Sequence, residues 1–250
     1  MRVFINPEYV GFKNDILEVV AGNYVADKVF CNHRNVVEKI TLQGVEIVVK
    51  RYRQPNLFNR FAYTCLRKSK ARRAYEYAFK LLAKGVDTPL PVAYVEVYTG
   101  GLFSVGYFFS LYMPHALLCD LGKCSVPCKG DLTADLAGFV LSLHSLGILP
   151  GDFNPGNVFF WFNEADGRYN FALTDINRMR FGKRPSVSEA MRSIEQLGAG
   201  IDGLYRLAAC YSSQRDVDVE YAVFTLLFHR IKKKVRRALK QMVKQRRVLL

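Results

Sequence analysis

Leu149-Pro-Gly-Asp-Phe-Asn-Pro-Gly-Asn157, taken with Thr174-Asp-Ile-Asn177, is the stretch on which the reading of this sequence turns. It sets out Asp152, then Asn157 five positions on, then Asp175 after two short apolar runs. Such a trio suits a loop that moves a phosphoryl group from ATP. Asp152 could orient or deprotonate an attacking hydroxyl, and Asn157 and Asp175 carry the hard oxygen ligands that Mg²⁺ prefers. Catalysis of this kind is mostly positioning and charge neutralisation, so these side chains need rigid supports. The flanking sequence supplies them. Asn154-Pro-Gly156 forces a turn, and Val158–Phe162 with Tyr169–Leu173 read as a hairpin around Asn163-Glu-Ala-Asp-Gly167. That hairpin would return Asp175 to the side of Asn157, as a shared metal requires.

Upstream of the loop, Asp131 caps a helix with Leu132, Leu136, Phe139, Leu143 and Leu146 at three- and four-residue spacing. That stripe reads as core, and His144 on the same helix reads as structural. Farther back, β-formers from Val29 to Tyr52 are interrupted at Asn32-His-Arg-Asn35 and Gln43-Gly44, which predicts an antiparallel meander. One strand ends in Glu46-Ile-Val-Val-Lys50. A lysine there is either an exposed strand end or a contact for ATP phosphates. Ser69 can cap a helix over 69–82 in which Ala71, Ala74, Ala78 and Leu81 or Leu82 recur at helical spacing. Glu76 on this helix is the only acid between Glu46 and Asp87, which makes it the expected partner of Lys50. The competing partner is a base one turn away, such as Arg72. No Gly-x-Gly-x-x-Gly precedes the strand, so phosphate cradling would fall to the Asn32–Asn35 turn.

Pro91–Tyr98 and Leu102–Tyr112 read as a hairpin across Thr99-Gly-Gly101, after the rigid connector Asp87-Thr-Pro-Leu-Pro91. Leu111-Tyr-Met-Pro114 would then be a hinge, with backbone groups near Met113 available to an adenine edge. The loop Cys119–Gly130 looks like a boundary. Beyond Asn177 lies a basic segment, then a helix pair over 188–207 with Ile194, Leu197, Leu204 and Leu207 inward. A long amphipathic helix starts at Glu220, with Phe224, Leu227, Phe228, Ile231, Val235, Leu239 and Met242 along one side. Residues 1–30 hold only a short amphipathic piece around Asp15–Val20.

With 250 residues, half of them hydrophobic, the chain can bury a real core in one large domain or two lobes. Net charge is +14 and unevenly spread. Lys50–Arg73 holds nine basic residues and no acid, Tyr221–Leu250 holds ten and no acid, and the remainder is close to balanced. Such surfaces expect an anionic partner. A nucleic-acid role is disfavoured, because the aromatics do not interleave with the basic runs as a stacking platform would. Six scattered cysteines, with only Cys124 and Cys128 close together, read as free thiols in a reducing cytosol. No signal peptide and no membrane-spanning apolar run is legible, so a cytoplasmic protein is expected, attached at most to the inner face of an inner membrane.

Taken in order, Val48-Val-Lys-Arg-Tyr52, Ser69-Lys-Ala-Arg-Arg-Ala-Tyr-Glu76, Gly85-Val-Asp-Thr-Pro89, Gly151–Asn157 and Asp175-Ile-Asn-Arg-Met179 give a joint pattern. Between about Asn32 and Gly182 the chain resembles the lipopolysaccharide kinase family, in its compact Bacteroides-type form. That family phosphorylates inner-core Kdo or heptose sugars and is distantly related to protein kinases. The resemblance implies an α+β, two-lobed protein-kinase-like fold. The first lobe, residues 1–113, would be a small antiparallel sheet with one helix, and the second, 114–250, mainly helical. It implies Lys50 on ATP phosphates, Glu76 as its partner, Asp152 as catalytic base, and Asn157 and Asp175 on Mg²⁺. It further implies a lipopolysaccharide core glycolipid as partner, bound by the basic runs at an anionic inner-membrane surface. Two positions depart from the family pattern: Pro150 stands where a histidine is usual, and Asn177 where protein kinases carry glycine. A kinase of a protein or small soluble alcohol, and a degenerate kinase fold used as a binding module, are the competing readings.

Overall fold

The computed structural model describes residues 1–33, 35–121, 130–198 and 200–246. Its chain divides into two compact units: Met1–Pro114 with Ala172–Arg178, and His115–Phe171 with the chain from Met179 onward.

The first unit is built on β1 (Arg2–Ile5), α1 (Lys13–Ala21), β2 (Lys28–Asn32), β3 (Asn35–Leu42), β4 (Val45–Tyr52), α2 (Leu57–Phe61), α3 (Lys70–Leu82), β5 (Pro91–Thr99) and β6 (Leu102–Leu111). Its six strands form one sheet in the order β1-β5-β6-β4-β3-β2, with every pair antiparallel. The meander and hairpin read from the sequence are both present. Strand alternation splits β4 between two faces. Ile47 and Val49 are buried in a core with Ile16 and Val19 of α1 and with Val95 and Phe109. On the other face, Tyr52 is buried with Ala71 and Tyr94.

α3 starts where Ser69 Oγ accepts the Arg72 amide at 3.1 Å, and it buries Ala71, Ala74, Ala78 and Leu81. Its small residues let it lie close on the sheet. A Cβ built on Gly106 of β6 would stand 3.0 Å from that of Ala71. β1 is the element the sequence did not announce: its partner, β5, lies some ninety positions away and no turn links the two. Asn6 fixes the junction, its side-chain amide donating to the Pro91 carbonyl at 3.0 Å.

Ala172–Arg178 belongs to this first unit, although a cut at residue 113 would assign it to the other. The reason is local. The Leu173 amide donates to the Asp87 carbonyl at 2.9 Å, and the Thr88 hydroxyl donates to the Leu173 carbonyl at 2.7 Å.

The second unit holds β7 (Ala116–Leu117), α4 (Leu132–Ser145), β8 (Ile148–Leu149), β9 (Val158–Asn163), β10 (Arg168–Leu173, its last two residues lying in the first unit), β11 (Arg180–Phe181), α5 (Val187–Glu195), α6 (Ile201–Arg215) and α7 (Val219–Arg246). β10, β9 and β7 form one small sheet, and β8 pairs antiparallel with β11. Asp131 caps α4 as expected, accepting the Thr133 amide at 2.9 Å and that of Ala134 at 3.1 Å. The buried side of α4 differs from the predicted stripe. Ala137, Val140, Leu143 and His144 are buried, while Leu146 is exposed, because α6 packs on the Ala137–His144 side. Ser186 and Glu189 form a capping box at the start of α5. Ile194, Leu197, Leu204 and Leu207 are buried, as their spacing predicted.

α7 is the long amphipathic helix expected from Glu220. Its packed side is Ala222, Thr225 and Leu226, against α5 and α6, while the predicted apolar stripe from Phe224 to Met242 faces away from them and is largely exposed. Lys233 ties the helix to α5 through Glu195 at 2.7 Å. Much of the boundary loop predicted at 119–130 lies outside the described residues.

His144 is fully buried, its Nδ1 2.8 Å from the Tyr211 hydroxyl. Burial first, and then the charges of Arg215 and Arg184, push its pKa down to about 4. Above the ordinary histidine value near 6.5 the ring is neutral both folded and unfolded, so it costs nothing. As pH falls from there towards about 4, the unfolded chain takes up a proton that the folded one refuses. Stability therefore drops, by up to about 3 kcal/mol, and then levels off. Thermal unfolding followed from about pH 7 to about pH 4.5 should show a steeper fall in Tm for the wild type than for His144→Gln.

Candidate active site

Within the second unit the loop after β8 is held by its own side chains. Asn154 Nδ2 donates to Asp152 Oδ1 at 2.9 Å, and Asn154 Oδ1 accepts the Gly156 amide at 3.0 Å. Asn157 Nδ2 donates to the Asp152 carbonyl at 2.9 Å. One asparagine thus orients the candidate base, and the other spends its amide nitrogen on the loop, while its Oδ1 accepts no hydrogen bond among the described residues. Phe153 is fully buried, and its amide donates to Gln196 Oε1 at 3.2 Å, which anchors the loop to the chain just after α5. Pro150, where a histidine was the family expectation, is itself buried.

Gly147 opens this loop in the left-handed region, with φ of +69°, and a Cβ there would fall 1.8 Å from the Gly182 carbonyl oxygen. The same two residues are joined by a 2.9 Å hydrogen bond from the Gly182 amide to the Gly147 carbonyl. Only a glycine lets these backbones approach so closely.

In the first unit Asp175 takes a left-handed backbone, φ of +51°, which aspartate tolerates better than most residues. Asp175 Oδ1 accepts from the Lys50 ammonium and, at 2.6 Å, from Asn177 Nδ2. Lys50 also sits 5.5 Å from the centre of the Tyr52 ring, on the same face of β4. Burial, and then the negative charge of Asp175, push the Tyr52 hydroxyl well above the ordinary tyrosine range.

The expected Lys50–Glu76 pair is not formed. Glu76 accepts from Lys68 at 2.6 Å and from Arg72 at 2.9 Å, the latter one helical turn away, while Lys50 bonds to Asp175. Desolvation works to raise the Glu76 pKa, but its hydrogen bonds and the charges of Lys68 and Arg72 outweigh it and leave the carboxyl below the usual range. Met113 is half-buried in the irregular segment after β6, beside the Tyr112 amide that donates to the Glu46 carbonyl at 3.0 Å. Of the Asn32–Asn35 turn, Arg34 lies outside the described residues.

The connector Gly85–Pro89 also positions Asp175, through the Thr88–Leu173 bond two residues before it. Thr88→Val removes that donor and leaves the Leu173 carbonyl buried without it. Thermal denaturation should register a loss of about 1–2 kcal/mol.

No family model matches the chain, and no curated protein sequence matches it. Solved structures do. The structure of WaaP in complex with acyl carrier protein superposes with a TM-score of 0.62 at 15% identity, over 94% of this chain and 98% of that one. The Rio2 kinase–ADP/Mg²⁺–phosphoaspartate complex from Chaetomium thermophilum gives 0.53, also at 15% identity, over 87% of this chain and 66% of that one. The chain has a protein-kinase-like fold. At this identity the likeness is one of fold, and the chemistry rests on this chain's own residues.

Those residues fit a magnesium–nucleotide ligand in their donor chemistry. Asp175 Oδ2 and Asn157 Oδ1 accept no hydrogen bond among the described residues, and both are hard oxygens. Also among the described residues, no group of three or more His, Cys, Asp or Glu side chains could hold a metal ion. Each oxygen, taken by itself, is of the donor type that Mg²⁺ prefers. Sequence reasoning missed Asn154, Gln196 and Tyr52. Tyr52 alone left a signal, two positions after Lys50 and so on its side of the strand.

Proposed function

We propose that this protein is an ATP- and Mg²⁺-dependent phosphotransferase whose acceptor is a hydroxyl of a lipopolysaccharide inner-core sugar. The observation that carries the reading is the state of Asp152–Asn157: a carboxylate steered by Asn154, five residues before an amide oxygen left free to bind a cation. Lys50, beside Asp175 on the first unit, is the candidate for the phosphates. Asp175 and Asn157 would hold Mg²⁺, which would supply neutralisation of phosphate charge. Asp152 would accept the proton of the sugar hydroxyl as its oxygen bonds to the γ-phosphorus. The bond from that phosphorus to the bridging oxygen breaks, and ADP leaves with the electron pair. Backbone groups near Met113 are the candidates for the adenine edge.

The substrate class rests on the sequence resemblance and on charge. The basic run from Lys50 to Arg73 includes exposed Arg51, Arg53, Arg67 and Lys68. An anionic glycolipid is its natural complement. Among the described residues no helix is long and apolar enough to cross a membrane. A glycolipid acceptor would call for a peripheral protein at the inner face of the inner membrane.

The test is to incubate the purified protein with γ-labelled ATP, Mg²⁺ and intact or deacylated core glycolipid, and then to locate the label. Label on a core sugar is the expected result. Label only on added protein or a small alcohol would replace the acceptor, and nucleotide binding without turnover would replace the enzyme with a binding module.

A further inference from the structure

The most unusual surface of the molecule lies on α7. Phe224, Phe228, Ile231, Val235, Leu239 and Met242 recur at three- and four-residue spacing, and each is more than half exposed. The helix packs through a different side, so this row has no cover among the described residues. It runs for about 30 Å at the usual helical rise. Lys232 and Lys234 border it on either side. Between α5 and α7 a groove of about 520 Å³ opens, lined by Arg192, Lys232, Arg236, Arg237 and Lys240 among others. The acid in that lining, Glu195, is already tied to Lys233.

We propose that α7 is a membrane-surface helix: its apolar row enters the headgroup–acyl boundary of an anionic bilayer, and its flanking bases bind lipid phosphates. A continuous row of large apolar side chains needs an apolar medium, which nucleic acid does not supply. A second copy of α7 would supply one, but no acid lies between Tyr221 and Leu250, so two such helices would set like charges along both edges of the contact. An anionic bilayer meets both demands. It accepts Phe, Ile and Leu without a shaped groove, and it attracts basic residues at about fivefold in binding per charge. The proposal deepens the reading of a kinase acting on a membrane glycolipid, but it is measured by binding alone, so failure of either leaves the other standing.

The experiment uses the full chain and sedimentation with vesicles of phosphatidylcholine, alone or mixed with phosphatidylglycerol. The protein should pellet with the anionic vesicles and stay in solution with the neutral ones. Ile231→Asp should cut binding at least about tenfold, and Lys232→Gln with Lys234→Gln about twenty-fivefold. These residues are exposed, so circular dichroism and Tm should remain those of the wild type. Equal binding to both vesicle types, or to neither, would overturn the proposal. So would a dimer in analytical ultracentrifugation that Ile231→Asp dissolves, or saturable binding to an acidic protein that outcompetes the vesicles.

Discussion

Asp152→Ala is expected to slow phosphate transfer by about a hundred- to ten-thousand-fold, the range for losing a positioned general base. Tm should hardly change, because Asp152 is half-buried and the loop keeps its Phe153 anchor and the Asn157 bond to the backbone carbonyl at 152. Initial rates with labelled ATP, measured beside a melting curve, separate the two effects. Asn154→Ala should fall between the variant and the wild type. It leaves the carboxylate in place but removes the amide that steers Oδ1. A rate in Asp152→Ala equal to that of the wild type would remove the proposed base.

The second large effect concerns stability. Gly147→Ala places a Cβ where the Gly182 carbonyl oxygen already stands, 1.8 Å away, on a backbone with φ of +69°. Neither partner is a flexible side chain. The pairing of β8 with β11 must open, and that pairing is what holds the chain after Met179 against Ile148 and Leu149, just before the Asp152 loop. A cost above about 3 kcal/mol follows from overpacking and backbone strain together. Chemical denaturation should show it as a lower midpoint. Gly182→Ala meets open space and should be close to neutral, which makes it the control.

How much of this was legible in the sequence depended on the range of the interaction. β3, β4 and α3 were readable because alternation, a serine cap and an alanine row are local signals. β1 was not, since its strand partner β5 lies some ninety positions away and nothing nearby marks it. Lys50 and Glu76 were read as partners because Glu76 was the single acid in its region. The helix, however, also places Arg72 one turn from it, with Lys68 just before the helix, and those nearer bases take it. Asp152 and Asn157 could be picked out by type and spacing, but the parts of Asn154 and Gln196 could not, because each acts through a hydrogen bond that leaves no pattern in the chain. On α7 the amphipathic row was plain. What spacing cannot say is whether protein or something else covers it, and among the described residues none does.

The proposed joint action of Lys50, Asn157 and Asp175 on magnesium-bound phosphates is what the function turns on. Its most direct test is calorimetric titration of ATP, with and without Mg²⁺, into the wild type, Asn157→Ala, Asp175→Ala and the double variant. Mg²⁺ should tighten binding in the wild type, either substitution should abolish the gain, and the double variant should lose little more than each single one, as residues sharing one ion must. Nucleotide binding that ignores Mg²⁺, or losses that simply add, would contradict it.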